Sequence, residues 1–284
     1  MKNLLLKSYA KINICLNVVG KREDGYHELD MIILPLKLHD SLFVTELKNA
    51  NDHFVTIDDF SLGLFKYNIA TATIEKMQKV YNFNQKFRIT IHKNIPMQSG
   101  LGGGSSNAGA VINAVNEYCK LNMSDEEKVK IATGLGADVP FFIFNKPARC
   151  RGIGEKLDFI NVKNDYYALI VKPSQGCSTQ QIYEVSDTMD LPIGDVEKVQ
   201  RALETGDDDL LADSIFNALE GPAISVVPEI QAIKNKLYAA GLKIVQMSGS
   251  GSSVFALSTD KKLIRNAARM LEDQYLVEET KVIR

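Results

Sequence analysis

The stretch Pro96-Met97-Gln98-Ser99-Gly100-Leu101-Gly102-Gly103-Gly104-Ser105-Ser106-Asn107 constrains this chain more than any other. Before it, Phe87, Ile89 and Ile91 alternate with Lys86, Arg88, Thr90 and His92, the period-two pattern of a strand covered on one face, which Pro96 stops. After it, Ala108, Val111, Ile112, Val115 and Cys119 recur at helical spacing and predict a helix from about Ser106 to Leu121. Strand, glycine loop and helix in that order let backbone N–H groups converge on an anion, with the helix N-terminus adding unpaired donors and the positive end of its dipole. Phosphate is the natural guest. A glycine cluster alone is as readily a flexible connector, but here a helix with two hydroxyls at its mouth follows at once.

Two familiar phosphate loops do not fit. A Walker A loop needs a lysine, and none occurs between Lys93 and Lys120. A dinucleotide fingerprint starting at Gly100 needs glycine where Ser105 stands, and an early βαβ setting is absent, so hydride transfer is the weaker alternative.

Composition narrows the setting. With 284 residues, 45% hydrophobic and 24% charged, the chain can bury a sizeable core in one large domain or two smaller ones. A formal net charge of -2 supplies no global positive field for nucleic acid or an anionic membrane. Cys15, Cys119, Cys150 and Cys177 are too dispersed for a zinc knuckle or a disulfide framework. No secretory signal and no apolar run of roughly 18 residues is visible, so a cytoplasmic protein is expected.

Leu4 to Val19 reads as a strand that ends in a turn at Lys21 to Gly25. Ser124 with Glu127 forms a capping box for a second helix, which Gly134 and Gly136 close. Later come a strand at Tyr166 to Val171 and helices near Val196 to Glu204, Leu210 to Leu219 and Pro228 to Ala240. Paired strands at Lys243 to Met247 and Ser253 to Leu257, a helix at Lys262 to Gln274 and a strand at Glu278 to Ile283 complete the order. This is β-α-β-β-α-β, the ferredoxin-like pattern. A domain boundary is expected between Glu155 and Asp165, dividing the chain into 1–158 and 159–284.

Other residues carry chemistry only in company. Lys11, flanked by Ala10 and Ile12, reads most simply as an edge lysine facing solvent, and Asp138 as a cap for the element that follows. If phosphoryl transfer is granted, a carboxylate must orient or deprotonate the attacking hydroxyl while a cation stabilises charge in the transition state. Tyr26 and His27 after the Asp24-Gly25 turn read as packing and surface groups. The Ser248 to Ser253 turn reads as a hairpin whose glycines supply positive φ, or as a second approach to the same ligand from the other domain.

Taken together, Ser8-Tyr9-Ala10-Lys11-Ile12-Asn13, Gly25-Tyr26-His27-Glu28, the Pro96 to Asn107 loop, Gly136-Ala137-Asp138-Val139-Pro140-Phe141-Phe142 and Ser248-Gly249-Ser250-Gly251 resemble the GHMP kinase superfamily over nearly the whole chain. Within that set, Ala10 to Asn13, Asp24 to Glu28, Leu101 to Ala108, Gly136 to Phe142 and Gly152 to Glu155 resemble its branch acting on 4-diphosphocytidyl-2-C-methyl-D-erythritol in the non-mevalonate isoprenoid pathway. The resemblance implies an α+β, two-domain architecture, with an N-terminal ribosomal-protein-S5-like α/β domain and a C-terminal ferredoxin-like domain. It also implies transfer of the ATP γ-phosphoryl group to the C2 hydroxyl of that substrate, in the cleft between domains and with Mg²⁺ accompanying ATP.

By position, Asp138 matches the catalytic carboxylate, Lys11 its neighbouring lysine and Asn13 a substrate contact. Pro96, Met97, Gln98, Ser99, Gly100, Leu101, Gly102, Gly103, Gly104, Ser105 and Ser106 match the ATP loop, with Gln98 and Ser99 standing where relatives carry smaller residues. Tyr26, His27 and Tyr183 match cytosine contacts, and Gly249 and Gly251 are further substrate-side candidates. A monomer or homodimer with neither nucleic acid nor membrane as partner is expected. The alternatives are another kinase of the superfamily, of mevalonate or homoserine type, a non-catalytic nucleotide-binding module, and an NAD-binding oxidoreductase.

Overall fold

Period-two alternation and helical periodicity build two compact units, which the computed structural model describes over residues 3–57 and 68–284. The first unit comprises the described parts of Met1–Ala10, Leu38–Ile95 and Gly102–Asn145; the second comprises Lys11–Lys37, Pro96–Leu101 and Lys146–Arg284. The unit borders fall inside the two long opening strands, β1 (Asn3–Lys21) and β2 (His27–Leu47), and inside the glycine loop.

In the first unit, β3 (Phe54–Ile57), α1 (Ile69–Tyr81) and β4 (Lys86–His92) form a βαβ crossover, with β3 parallel to β4 from Phe54↔Arg88 to Ile57↔Ile91. The other edge of β4 pairs antiparallel with β2, from Ser41↔His92 to Leu47↔Lys86. The alternation of β4 is realised as expected, since Phe87, Ile89 and Ile91 are fully buried. They pack with Ile74 and Met77 of α1 and with Val111, Ile112 and Val115 of α2 (Gly103–Cys119). Burial of each such side chain contributes about 1.5–3 kcal/mol, so this cluster anchors the unit. The capping box holds: Ser124 Oγ accepts from Glu127 N at 3.2 Å and opens α3 (Asp125–Thr133), which ends at Gly134. A short α4 (Val139–Phe144) packs on α2 where Gly109 meets Phe142; a Cβ on Gly109 would lie 2.8 Å from that of Phe142.

In the second unit, β5 (Ala148–Gly152) pairs with β2 and with β6 (Lys156–Phe159). The C-terminal sheet contains β7 (Tyr167–Lys172), β9 (Ile244–Met247), β10 (Val254–Ser258) and β11 (Leu276–Lys281) in the order β11-β7-β10-β9, all neighbours antiparallel. Between β7 and β9 lie α5 (Thr179–Ser186), α6 (Val196–Thr205), α7 (Asp208–Ser214), β8 (Phe216–Asn217), α8 (Glu220–Val226) and α9 (Glu229–Ala239), while α10 (Lys261–Leu271) joins β10 to β11. This is the expected ferredoxin-like arrangement with an enlarged first crossover. The α10 helix covers the sheet with Ile264, Ala267, Ala268 and Leu271, one stripe at i, i+3, i+4 and i+7.

The helix expected over Leu210 to Leu219 is corrected. It spans only Asp208–Ser214, after which Phe216 and Asn217 pair in parallel with Cys15 and Leu16 of β1. Asn217 Nδ2 donates to the carbonyls of Met247 and Gly249 at 2.9 and 2.8 Å, and these distant acceptors outcompete helix continuation. The α2 helix begins at Gly103, three residues earlier than its apolar stripe implied, because its first turn carries glycine and serine instead of core residues. Helices α1, α5 and α8 go beyond the periodicity expected above, and β2 is a single strand of 21 residues.

Candidate active site

The mouth of α2 is built for an anion. Gly102 is its N-cap at φ 74°, a left-handed conformation that suits glycine, and offers no side-chain cap. The first-turn N–H groups are therefore not masked by a capping side chain. Ser106 is buried, accepts from Ser8 Oγ at 2.7 Å and is thereby fixed. The two neighbouring glycines differ in kind. A Cβ on Gly103 would meet Ile95 Cγ2 and Lys93 Nζ at 3.2 Å, whereas a Cβ on Gly104 would meet nothing within 4 Å. Packing accounts for the first glycine; the second leaves room that a phosphate can fill.

Lys93 is the functional candidate that sequence reasoning passed over. Its ammonium pairs with Asp40, whose fully buried carboxylate also accepts from the backbone N–H groups of Asn94 at 2.9 Å and Ile95 at 2.8 Å. One carboxylate thus fixes the exit of β4 and keeps a cation beside Gly103. The available signals were a lysine three residues before Pro96 and an aspartate within the apolar run of β2.

Asp138 stands at the N-cap position of α4, with no side-chain capping bond to that helix. It belongs to the same unit as Gly102, Gly103, Gly104, Ser105 and Ser106.

The second unit gathers Lys11, Asn13, Gly100 and Gly249. Lys11 is 3% exposed, which overturns the expected solvent-facing edge lysine. Its ammonium donates to Asn13 Oδ1, and its backbone N–H donates to Leu101 O at 3.0 Å. A buried ammonium carries a large desolvation cost and persists only where polar partners surround it. A Cβ on Gly249 would lie 3.1 Å from Lys11 Nζ and 3.2 Å from Asn13 Oδ1. Ser248 Oγ accepts from Asn13 N at 3.3 Å and donates to Gly100 O at 3.0 Å, which ties the serine-glycine turn to the loop.

Further along, Ser253 N donates to Ser99 O at 3.2 Å, and Gly251 at φ 83° sits where a Cβ would crowd Met247 Sδ. Gln98 adopts φ 50°, and its carbonyl accepts from Cys177 N at 3.4 Å. Ser99 is buried and donates to Pro96 O at 2.6 Å, while Met97 is exposed. Gln98 and Ser99 are therefore integrated into the loop.

In the same unit His27 stacks on Tyr183, with ring centroids 4.6 Å apart and planes 23° from parallel. Its Nε2 lies 2.7 Å from Asp187 Oδ1, and Lys21 Nζ lies 2.5 Å from the other oxygen. These bonds, from Lys21 first and His27 second, hold the Asp187 carboxyl below the usual carboxylate range. Tyr26 is exposed, and its carbonyl accepts from Arg22 N at 2.8 Å to close the turn. The ring on Tyr183 is therefore that of His27, and Tyr26 stands outside the stack.

Among the described residues, no group of three or more His, Cys, Asp or Glu side chains is placed to hold a metal ion, and no helix is long and apolar enough to cross a membrane.

Residues 68–146 match the family description "GHMP kinases N terminal domain", and 199–276 match "GHMP kinases C terminal". The chain is 36% identical over 263 residues to 4-diphosphocytidyl-2-C-methyl-D-erythritol kinase of Clostridium beijerinckii, covering 90% of this chain and 91% of that one. It is 32% identical over 273 residues to the protein of the same name from Clostridium tetani, covering 95% and 96%. A crystal structure of 4-(cytidine 5'-diphospho)-2C-methyl-D-erythritol kinase superposes with a TM-score of 0.80 at 30% identity, covering 98% of this chain and 99% of that one.

Proposed function

The chain belongs to the GHMP kinase family, and from that premise we propose that it transfers the γ-phosphoryl group of ATP to the C2 hydroxyl of 4-diphosphocytidyl-2-C-methyl-D-erythritol, giving the 2-phosphate and ADP. The observation that carries this is the mouth of α2, where a Cβ on Gly104 would meet no atom within 4 Å and the Lys93 ammonium lies against the neighbouring Gly103. We place the triphosphate there.

In the reaction the substrate O–H bond breaks, an O–P bond forms, and the bridging O–P bond to the γ-phosphorus breaks to release ADP. Asp138 orients the hydroxyl and takes its proton, which solvent later removes. Lys11 stabilises charge that develops on the transferring group, with Asn13 holding its ammonium. Mg²⁺, if bound with ATP, would supply neutralisation of the phosphate charge. Tyr26, His27 and Tyr183 take the cytosine, and Gly249 and Gly251 let backbone approach the substrate. We assign 1–158 and 159–284 as the N- and C-terminal kinase domains of a cytoplasmic monomer or homodimer that binds neither nucleic acid nor membrane.

The deciding experiment is ADP release from purified protein with Mg-ATP and, in parallel, the cytidyl substrate, mevalonate or homoserine. Release confined to the cytidyl substrate is expected. Release driven by mevalonate or homoserine instead assigns the chain to another branch of the family.

A further inference from the structure

Tyr183 and Asp187 are one helical turn apart at the end of α5, where Asp187 N donates to Tyr183 O at 3.0 Å. Residues at i and i+4 share a helix face, so the same surface offers His27 a ring to stack on and a carboxylate for its edge. Lys21, from the end of β1, occupies the second carboxylate oxygen and leaves the first to His27. Exposed ion pairs of this kind usually contribute little. Here the imidazole is only 10% exposed and is held on its face and its edge at once, which a simple surface pair does not require.

We propose that Asp187 is a positioning residue that sets the base selectivity of the cytidyl site by fixing which nitrogen of His27 carries the proton. The inference rests on the assignment of His27 to the pyrimidine. An ionised carboxylate only accepts, so Nε2 must be the N–H, and in the neutral ring Nδ1 is left as a lone-pair acceptor. Cytosine carries an exocyclic amine at position 4, which donates to that lone pair. Uracil carries a carbonyl oxygen at the same position, and two acceptors face each other without a proton between them. A polar site left unpaired in this way discriminates more strongly than a change of shape. Without Asp187 both tautomers become accessible, and the imidazole can donate to uracil as readily as it accepts from cytosine.

The test compares kcat/KM for the cytidyl substrate and its uridyl analogue in wild type, Asp187→Ala and Asp187→Asn, and reads the His27 tautomer from ring ¹⁵N chemical shifts in each full-length protein. Wild type is expected to show the proton on Nε2 and a preference for cytidyl. Asp187→Ala should lower that preference by about tenfold, the size of one lost hydrogen bond, chiefly through KM for the cytidyl substrate. Asp187→Asn keeps an acceptor oxygen and should retain most of the preference. A merely structural role for Asp187 would affect both substrates alike. An unchanged cytidyl-to-uridyl ratio in Asp187→Ala, or a wild-type ring protonated on Nδ1 alone, overturns the inference while the kinase assignment stands. A wild type that phosphorylates neither pyrimidine substrate overturns both.

Discussion

Gly100 lies directly against Ser248: a Cβ on the glycine would sit 2.0 Å from the Ser248 carbonyl oxygen, and the Ser248 hydroxyl donates to the Gly100 carbonyl at 3.0 Å. Gly100 also holds φ 74°, so glycine is required there twice, by space and by backbone. Gly100→Ala should destabilise the protein by about 1–3 kcal/mol, measured by urea unfolding, because either turn or loop must move. A midpoint unchanged from wild type would show that the two segments are not locked.

Gly103 and Gly104 separate packing from ligand space. A Cβ at Gly104 would meet no protein atom within 4 Å, so Gly104→Val should leave the melting temperature near wild type while weakening ATP by more than about tenfold in calorimetric titration. Gly103→Val should abolish ATP binding as well, but with some loss of stability through Ile95. If Gly104→Val binds ATP normally in a folded protein, the phosphates do not lie at this mouth.

Asp138→Asn keeps the side chain's shape and removes the base. The variant should still bind ATP while kcat falls by about 10²–10⁴. An Asn variant with near wild-type kcat would sink the assignment.

Lys11→Met exchanges a buried ammonium for an apolar chain of similar length. It should lower kcat more than it weakens ATP binding, because the charge matters most as the transition state forms. Pre-steady-state kinetics resolve the two; a change confined to KM for ATP would make Lys11 a binding residue.

Tyr26→Leu, Tyr183→Leu and His27→Ala should each raise KM for the cytidyl substrate by roughly ten- to a hundredfold while ATP constants stay within a few-fold. Because His27 stacks on Tyr183, the Tyr183 and His27 effects should be less than additive in the double variant. Equal weakening of ATP and substrate would show that these rings do not belong to a cytosine site.

Local chemistry was legible in the chain itself. The burial of alternate residues in β4, the apolar stripe of α2 and the Ser124–Glu127 box each depend on residues within a few positions of one another, and all appear as expected. The motif Asp138-Val139-Pro140-Phe141-Phe142 pointed to a turn into a new element, and α4 begins there. Its apolar residues identified themselves as core, since burial needs no particular partner.

What only the tertiary structure decided are the pairings of polar groups far apart in sequence. Asp40 holding Lys93, His27 meeting Asp187 and Ser248 bonding Gly100 join residues 53, 160 and 148 positions apart. A period in the sequence reports which face of an element is buried; it carries no record of which distant group will satisfy a buried charge or carbonyl. Lys11 looked like an edge lysine because apolar neighbours are common beside exposed ones, and its partner Asn13 became meaningful only with the Gly249 turn packed against both. Short-range periodicity and backbone freedom determined the elements that carry a clear repeat, whereas the polar partners were chosen by hydrogen bonds that exist only once the chain has folded.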